Sequence, residues 1–347
     1  MLTRADLDLL PDYVPGRSVP GAVKLASNEV PYGPLPGVLE AIAEAAAGSH
    51  RYPDMGVVAL REAIAVRVGV DPSRVATGCG SVAMTEHLIR TACRDGDEVV
   101  YAWRSFEAYP IITATTGAVS VRVPNVDHGH DLSAMAAAVT DKTRLVIVCN
   151  PNNPTGTAVG SAALDAFLDA IPANVLVVLD EAYREFVTDP AVPDGIARYG
   201  HRPNVAVLRT LSKAWGLAGL RAGYLVAAPA VAAAVRKVVT PFSTSAVAQA
   251  AAIAALRAED EMHRRVGLVV AERDRVENAL RKRFGDVPPT QANFVWLPLG
   301  DQAVDFAAAC EQAGVIVRAF AGDGVRITIG TPEENDQFLA AADSFAS

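Results

Sequence analysis

Two stretches, Arg144-Leu-Val-Ile-Val-Cys149 and Val175-Leu-Val-Val-Leu-Asp180, are apolar at almost every position. A strand with one wet face alternates apolar and polar side chains. A strand apolar throughout is buried on both faces, and in a water-soluble chain that means a mostly parallel sheet covered by helices. Further strand candidates at 98–101, 119–123, 205–208 and 221–226 alternate with helical patterns, which sets the class as α/β.

At 347 residues the chain exceeds what one core usually holds, so two domains are expected. Residues 1–35 are rich in Pro and Gly and read as an extended arm. Residues 36–243 carry helical patterns at 36–47 and 55–68 and then the strands of a large domain. After Pro241 the character changes. Helices are expected at about 246–256 and 259–284, then a strand at 293–297 and a helix near 302–313. Strands at 315–318 and 325–329 and a closing helix from Pro332 complete a smaller α/β domain over 244–347.

The net charge of −8 argues against nucleic acid or an anionic membrane as partner, since both attract basic patches. No apolar run approaches the ~20 residues of a membrane span, and Met1-Leu-Thr-Arg-Ala-Asp6 lacks the apolar core of a signal peptide. A cytoplasmic location is therefore expected. The four cysteines are widely spread and read as buried thiols, and the six histidines form no metal-like spacing.

Several strand ends carry chemistry. Gly78-Cys-Gly-Ser81 follows a strand and opens a helix, where free N–H groups and the helix dipole attract anions. It lacks the third glycine of a dinucleotide fingerprint, and alone it could be any tight strand–helix turn. Asn150-Pro-Asn-Asn-Pro-Thr-Gly156 suits a turn, yet it stands at the carboxyl edge where α/β sheets bind ligands. Asp180, before Glu-Ala-Tyr183, ends the most apolar strand; it either caps a helix or pairs with a cation, because an unpaired carboxylate at that depth is costly. Lys213 lies among small and apolar residues near Thr210, Ser212 and Arg221. Apolar surroundings lower a lysine's pKa and free its amine to attack an aldehyde, while its three neighbours are of the types that hold phosphate. A surface lysine is the alternative. An aldehyde with a phosphate describes pyridoxal phosphate, and a carboxylate on its ring nitrogen would make the ring an electron sink.

Together with Tyr13-Val-Pro-Gly, Leu25-Ala-Ser-Asn-Glu, Arg51-Tyr-Pro-Asp, Gly219-Leu-Arg-Ala-Gly, Gln291-Ala-Asn-Phe and Val325-Arg-Ile-Thr, these motifs run nearly end to end. The chain resembles a fold-type-I aminotransferase of the histidinol-phosphate aminotransferase branch, and within it the actinobacterial aromatic amino acid (phenylalanine) aminotransferases. The resemblance implies pyridoxal 5′-phosphate as cofactor, joined to Lys213, with Asp180 on its ring nitrogen and Asn153 and Tyr183 on its ring oxygen. It implies a phosphate held by Ser81, Val82, Thr210, Ser212 and Arg221, and by Tyr52 from the second subunit of a homodimer with a shared site. Phe106 would stack on the ring. Arg326, helped by Arg318, would bind the substrate's anionic end under Asn28 and Tyr13.

Histidinol-phosphate enzymes usually continue the phosphate turn with an acidic pair and stack a tyrosine on the ring. Val82, Ala83 and Phe106 stand there instead, as in the aromatic-specific relatives. The expected reaction is transamination of phenylalanine and tyrosine, with tryptophan as a further candidate, with 2-oxoglutarate as partner and Lys213 moving the α-proton. Histidinol phosphate as substrate is the alternative. A lyase of the branch, such as a threonine-phosphate decarboxylase, would release carbon dioxide, and a non-catalytic regulator would need a DNA-binding extension that the sequence lacks.

Overall fold

The computed structural model describes residues 7, 8 and 10–345. The first six residues, and with them the start of the expected arm and the stretch read for a signal, lie outside the described residues. The elements run β1 (Val23–Lys24), α1 (Val38–Ala47), α2 (Val58–Val68), β2 (Val75–Cys79), α3 (Gly80–Ala92), β3 (Glu98–Trp103), α4 (Ala108–Thr115), β4 (Val119–Pro124), α5 (Leu132–Ala137), β5 (Thr143–Cys149), α6 (Ser161–Ala170), β6 (Leu176–Asp180), α7 (Gly195–Tyr199), β7 (Val205–Thr210), β8 (Ala222–Val226), α8 (Pro229–Val238), α9 (Ala246–Arg257) and α10 (Glu259–Phe284). They continue with β9 (Phe294–Leu297), α11 (Ala303–Gln312), β10 (Val315–Ile316), β11 (Arg318–Phe320), β12 (Gly324–Thr328) and α12 (Pro332–Phe345).

Seven strands form one sheet in the order β2-β8-β7-β6-β5-β3-β4. It is parallel except for β8, which runs against both of its neighbours. The continuous apolar runs have the expected cause. Val146, Val148, Val177 and Leu179 point to one buried cluster and Leu145, Ile147, Cys149 and Val178 to another, so each strand feeds a core on both sides. Helices α2, α6 and α9 cover the first side and α3, α4 and α8 the second. Burying each such Val, Leu or Ile stabilises the fold by ~1.5–3 kcal/mol.

The register lines up the strand ends. Cys149 stands opposite Asp180, and Asp180 opposite Leu208. Because β8 runs backwards, its first residues meet the last residues of β7 and β2, with Gly223 opposite Thr210 and Ala222 opposite Cys79. One sheet edge therefore gathers Gly80, Cys149, Asp180, Thr210 and Arg221.

A second, antiparallel sheet has the order β11-β12-β9. The single strand expected over 315–318 is divided. β10 pairs in parallel with β1, while β11 pairs with β12, so Val317 is the point where the chain changes partners. The arm is thus held against the C-terminal unit rather than lying free, and Thr328 N–H extends that contact by donating to Leu25 O at 2.9 Å. Cys149 and Cys310 are buried, whereas Cys79 and Cys93 are only half-buried, short of the expectation for all four. Among the described residues no helix is long and apolar enough to cross a membrane.

Candidate active site

The sheet edge opens into a cavity lined by all of the expected site residues except Tyr52. Its floor at one end is the turn into α3. Gly80 has φ +82°, and a Cβ there would lie 2.6 Å from an Arg221 nitrogen; a Cβ on Gly223 would lie 2.5 Å from Ser81 N. The two glycines let the backbone of the turn and the Arg221 guanidinium close on the same point. Arg221 itself takes φ +56°, a costly conformation for a residue with a side chain. Its guanidinium donates to Ala218 O at 2.9 Å and reaches Ser212 Oγ at 3.4 Å, and Thr210 Oγ accepts from Ser212 N–H at 3.1 Å. Ser81 and Val82 lie in the first turn of α3 and face the same cavity. Free N–H groups, a helix N-terminus, two hydroxyls and an arginine make a cradle for a phosphate.

Lys213 Nζ donates to Ser27 O at 3.1 Å. Burial, with the Arg326 charge beside it, brings its pKa down to about 7. A substantial share of the amine is therefore neutral near neutral pH and able to attack a carbonyl or accept a proton.

Asp180 closes the cavity at the end of β6. Its Oδ2 accepts from Tyr109 Oη at 2.6 Å and its Oδ1 from Ala182 N–H at 3.3 Å. Among the described residues no Lys, Arg or His lies within ion-pair reach of it, and burial pushes its pKa up to about 6. Burial and the Asp180 charge hold the Tyr109 phenol well above its usual range, so it stays a donor. A buried carboxylate so placed calls for a cationic N–H in the cavity.

The remaining donors are oriented by one another. Asn153 Oδ1 accepts from Arg326 at 2.6 Å, which turns the NH₂ of Asn153 toward other acceptors. Tyr183 Oη accepts from Asn28 Nδ2 at 2.8 Å and keeps its own hydrogen to give; burial holds that phenol well above its usual range. Arg326 also donates to Ala26 O at 2.7 Å, while its buried Nε has no partner. Arg318, its cross-strand neighbour, pairs with Glu107 at 2.9 Å. Tyr13 meets Phe106 edge-on with ring centroids 6.5 Å apart, and Phe320 completes an aromatic wall.

Tyr52 lies elsewhere. It is 82% exposed and stacks on Phe242 at 4.6 Å. Sequence reasoning missed Tyr109, Ser27, Glu107 and Phe320. Tyr109 lay in the quoted stretch after Phe106, but only the fold sets it against Asp180, 71 residues away.

The residues present fit a planar heterocycle that carries an aldehyde, a protonated ring nitrogen and a phosphate. The phosphate cradle, the lysine and the uncompensated carboxylate face one space, and the unpartnered Arg326 Nε awaits a further anion.

Comparison with known proteins agrees. The model of the family "Aminotransferase class I and II" matches residues 20–341. An aromatic amino acid aminotransferase of Streptomyces avermitilis is 58% identical over 347 residues, covering 99% of this chain and 97% of that protein. One of Rhodococcus jostii is 58% identical over 343 residues, covering 99% and 95%. The crystal structure of histidinol-phosphate aminotransferase from Sinorhizobium meliloti in complex with pyridoxal-5′-phosphate superposes with a TM-score of 0.89 at 31% identity, covering 99% of this chain and 97% of that one. A Thermus thermophilus aspartate aminotransferase, 24% identical with a TM-score of 0.80, shares the fold. With a family model spanning most of its length and relatives this similar from end to end, the chain belongs to the class I and II aminotransferases.

Proposed function

We propose that this chain transfers the amino group of aromatic amino acids, phenylalanine and tyrosine foremost, to 2-oxoglutarate, using pyridoxal 5′-phosphate. The observation that carries the chemistry is a lysine with pKa near 7 and a buried carboxylate without a cation, both lining one cavity. Support for the aromatic class is the 58% identity to aromatic amino acid aminotransferases, together with Tyr13, Phe106 and Phe320 around the substrate end.

Thr210, Ser212, Arg221 and the backbone of Ser81 and Val82 hold the cofactor's phosphate in this scheme. Asp180 would keep a proton on the ring nitrogen, Asn153 and Tyr183 would donate to the ring oxygen, and Phe106 would lie against the ring. Pyridoxal phosphate supplies the carbonyl that takes up the amino group and the electron-withdrawing ring that acidifies the α-carbon. Arg326 fixes the substrate carboxylate and so directs the Cα–H toward Lys213. Lys213 Nζ, neutral in part, would take that proton and give it up again, so that one amine serves first as base and then as acid. Tyr13, exposed at the cavity's edge, limits water, while the buried Asn28 holds Tyr183 in place.

The site is completed by a second copy of the chain. Tyr52, outside its own cavity, exposed and stacked on Phe242, serves the neighbouring subunit's phosphate cradle in this scheme. The test of substrate class is kcat/KM for phenylpyruvate against imidazole acetol phosphate with one amino donor. A clear preference for phenylpyruvate is expected; the reverse order returns the chain to histidinol-phosphate chemistry, and carbon dioxide release would make it a lyase.

A further inference from the structure

Arg318 and Arg326 stand directly opposite each other in the antiparallel pair of β11 and β12, so their side chains share a face. Both line the cavity, and both lie over the Phe320 ring, with guanidinium carbons 5.5 and 5.7 Å from its centroid. Two like charges so placed repel. Burial first, and Arg318 among the charges, work to lower the Arg326 pKa, while Tyr183, Tyr13 and Glu107 oppose them.

Glu107 also lines the cavity, and its Oε2 lies 2.9 Å from an Arg318 nitrogen. The three side chains together carry one net positive charge toward the substrate's anionic end. A carboxylate is a single negative charge; a phosphate monoester, with its second pKa near ~6, is mostly a dianion at neutral pH. A dianion would engage both guanidiniums, and Glu107 competes for one of them.

We propose that Glu107 is a specificity-determining residue: by occupying Arg318 it reduces the arginine pair to one available charge and selects carboxylate over phosphate substrates. The proposal rests on the aminotransferase assignment of this cavity, not on the identity of the substrate side chain. The pair also ties the loop after β3 to the small sheet, as does the neighbouring Arg104–Asp323 ion pair, so a purely mechanical role is the competing explanation.

Two unreactive ligands separate these roles on the cofactor-loaded protein, 3-phenylpropionate and 2-phenylethyl phosphate, with Kd measured by calorimetry at pH 7.5. In Glu107→Gln the ratio of the two affinities should move toward the phosphate ester by on the order of tenfold, the effect of removing one partly exposed charge nearby. Glu107→Asp should keep most of the wild-type ratio, and Asp323→Asn, which breaks the neighbouring tie only, should leave it unchanged. Equal shifts for both ligands in Glu107→Gln, or the same ratio change in Asp323→Asn, would overturn the proposal. The wild-type protein gives an independent reading should the Gln variant not fold. Its preference for the carboxylate should shrink at pH 5.5, where the ester is mostly a monoanion, and a ratio indifferent to pH would likewise overturn it. Turnover of phenylpyruvate by the wild-type protein tests the aromatic assignment separately.

Discussion

Lys213 and Asp180 titrate far from their ordinary ranges for the same reason, burial of a group that would be charged in water. The consequences for the cofactor-free protein have opposite signs. Asp180 goes from 3.8 unfolded to about 6 folded, so between these values the native state holds the extra proton. Stability from this group therefore falls as pH rises from about 4 to 6, by roughly 3 kcal/mol over the window. Lys213 goes from 10.5 to about 7, so the unfolded state holds the extra proton and stability rises as pH climbs between those values. Denaturant unfolding across pH should show both slopes, the first absent in Asp180→Asn and the second in Lys213→Ala. Loaded with cofactor, Asp180→Ala should lose on the order of 10² or more in kcat, comparable to removing a preorganised charge. Near wild-type turnover would leave Asp180 without a role at the ring. Borohydride reduction and peptide mapping should place the adduct on Lys213, and an adduct on another lysine would reassign the site. Both residues were legible in sequence because an ionisable side chain at the end of an apolar run is costly without a purpose. Glu107 and Tyr109 were not, because their meaning lies in partners that the chain brings from far away.

The elements that carry these side chains are held from behind the sheet. Side chains alternate along a strand. As Asp180 and Thr210 face the cavity, their neighbours Glu181 and Arg209 turn to the opposite side and pair at 2.7 Å, with Asp194 at 2.9 Å from the same guanidinium. Glu181 also accepts from Gly195 N–H at 2.7 Å. This buried group joins the ends of β6 and β7 to the start of α7. Arg209→Met would leave Glu181 buried without its cation and should destabilise the protein by about 3–5 kcal/mol in denaturant unfolding. At the same sheet edge, Gly80→Ala should weaken cofactor retention in equilibrium dialysis, because its Cβ would displace the Arg221 guanidinium. The strands themselves were readable from their apolar runs. The division of 315–318 into β10 and β11 was not, since one short β-rich stretch gives no sign of having two partners.

For the whole molecule, the exposed Tyr52–Phe242 stack lies outside the cavity of its own chain. If it serves a second copy, mixed dimers of Lys213→Ala and Tyr52→Phe subunits should recover activity beyond either parent, because one of their two sites contains neither change. Tyr52→Phe must be impaired alone for that comparison to count, and no recovery would refute the shared site. The pairing of β1 with β10 has a consequence of another kind. Val23 meets Val315, Arg326 donates to Ala26 O, and Asn28 N–H donates to Thr328, contacts that join the two ends of the chain. On the ribosome, Lys213, Asp180 and the phosphate turn all emerge before Arg318 and Arg326. The half of the cavity that would hold the cofactor can thus assemble while the half that would hold the substrate still lacks its walls. Closing a loop of 300 residues is among the slowest kinds of contact to form, so the newly made protein should pass through a stage able to hold cofactor before it can discriminate among amino acids.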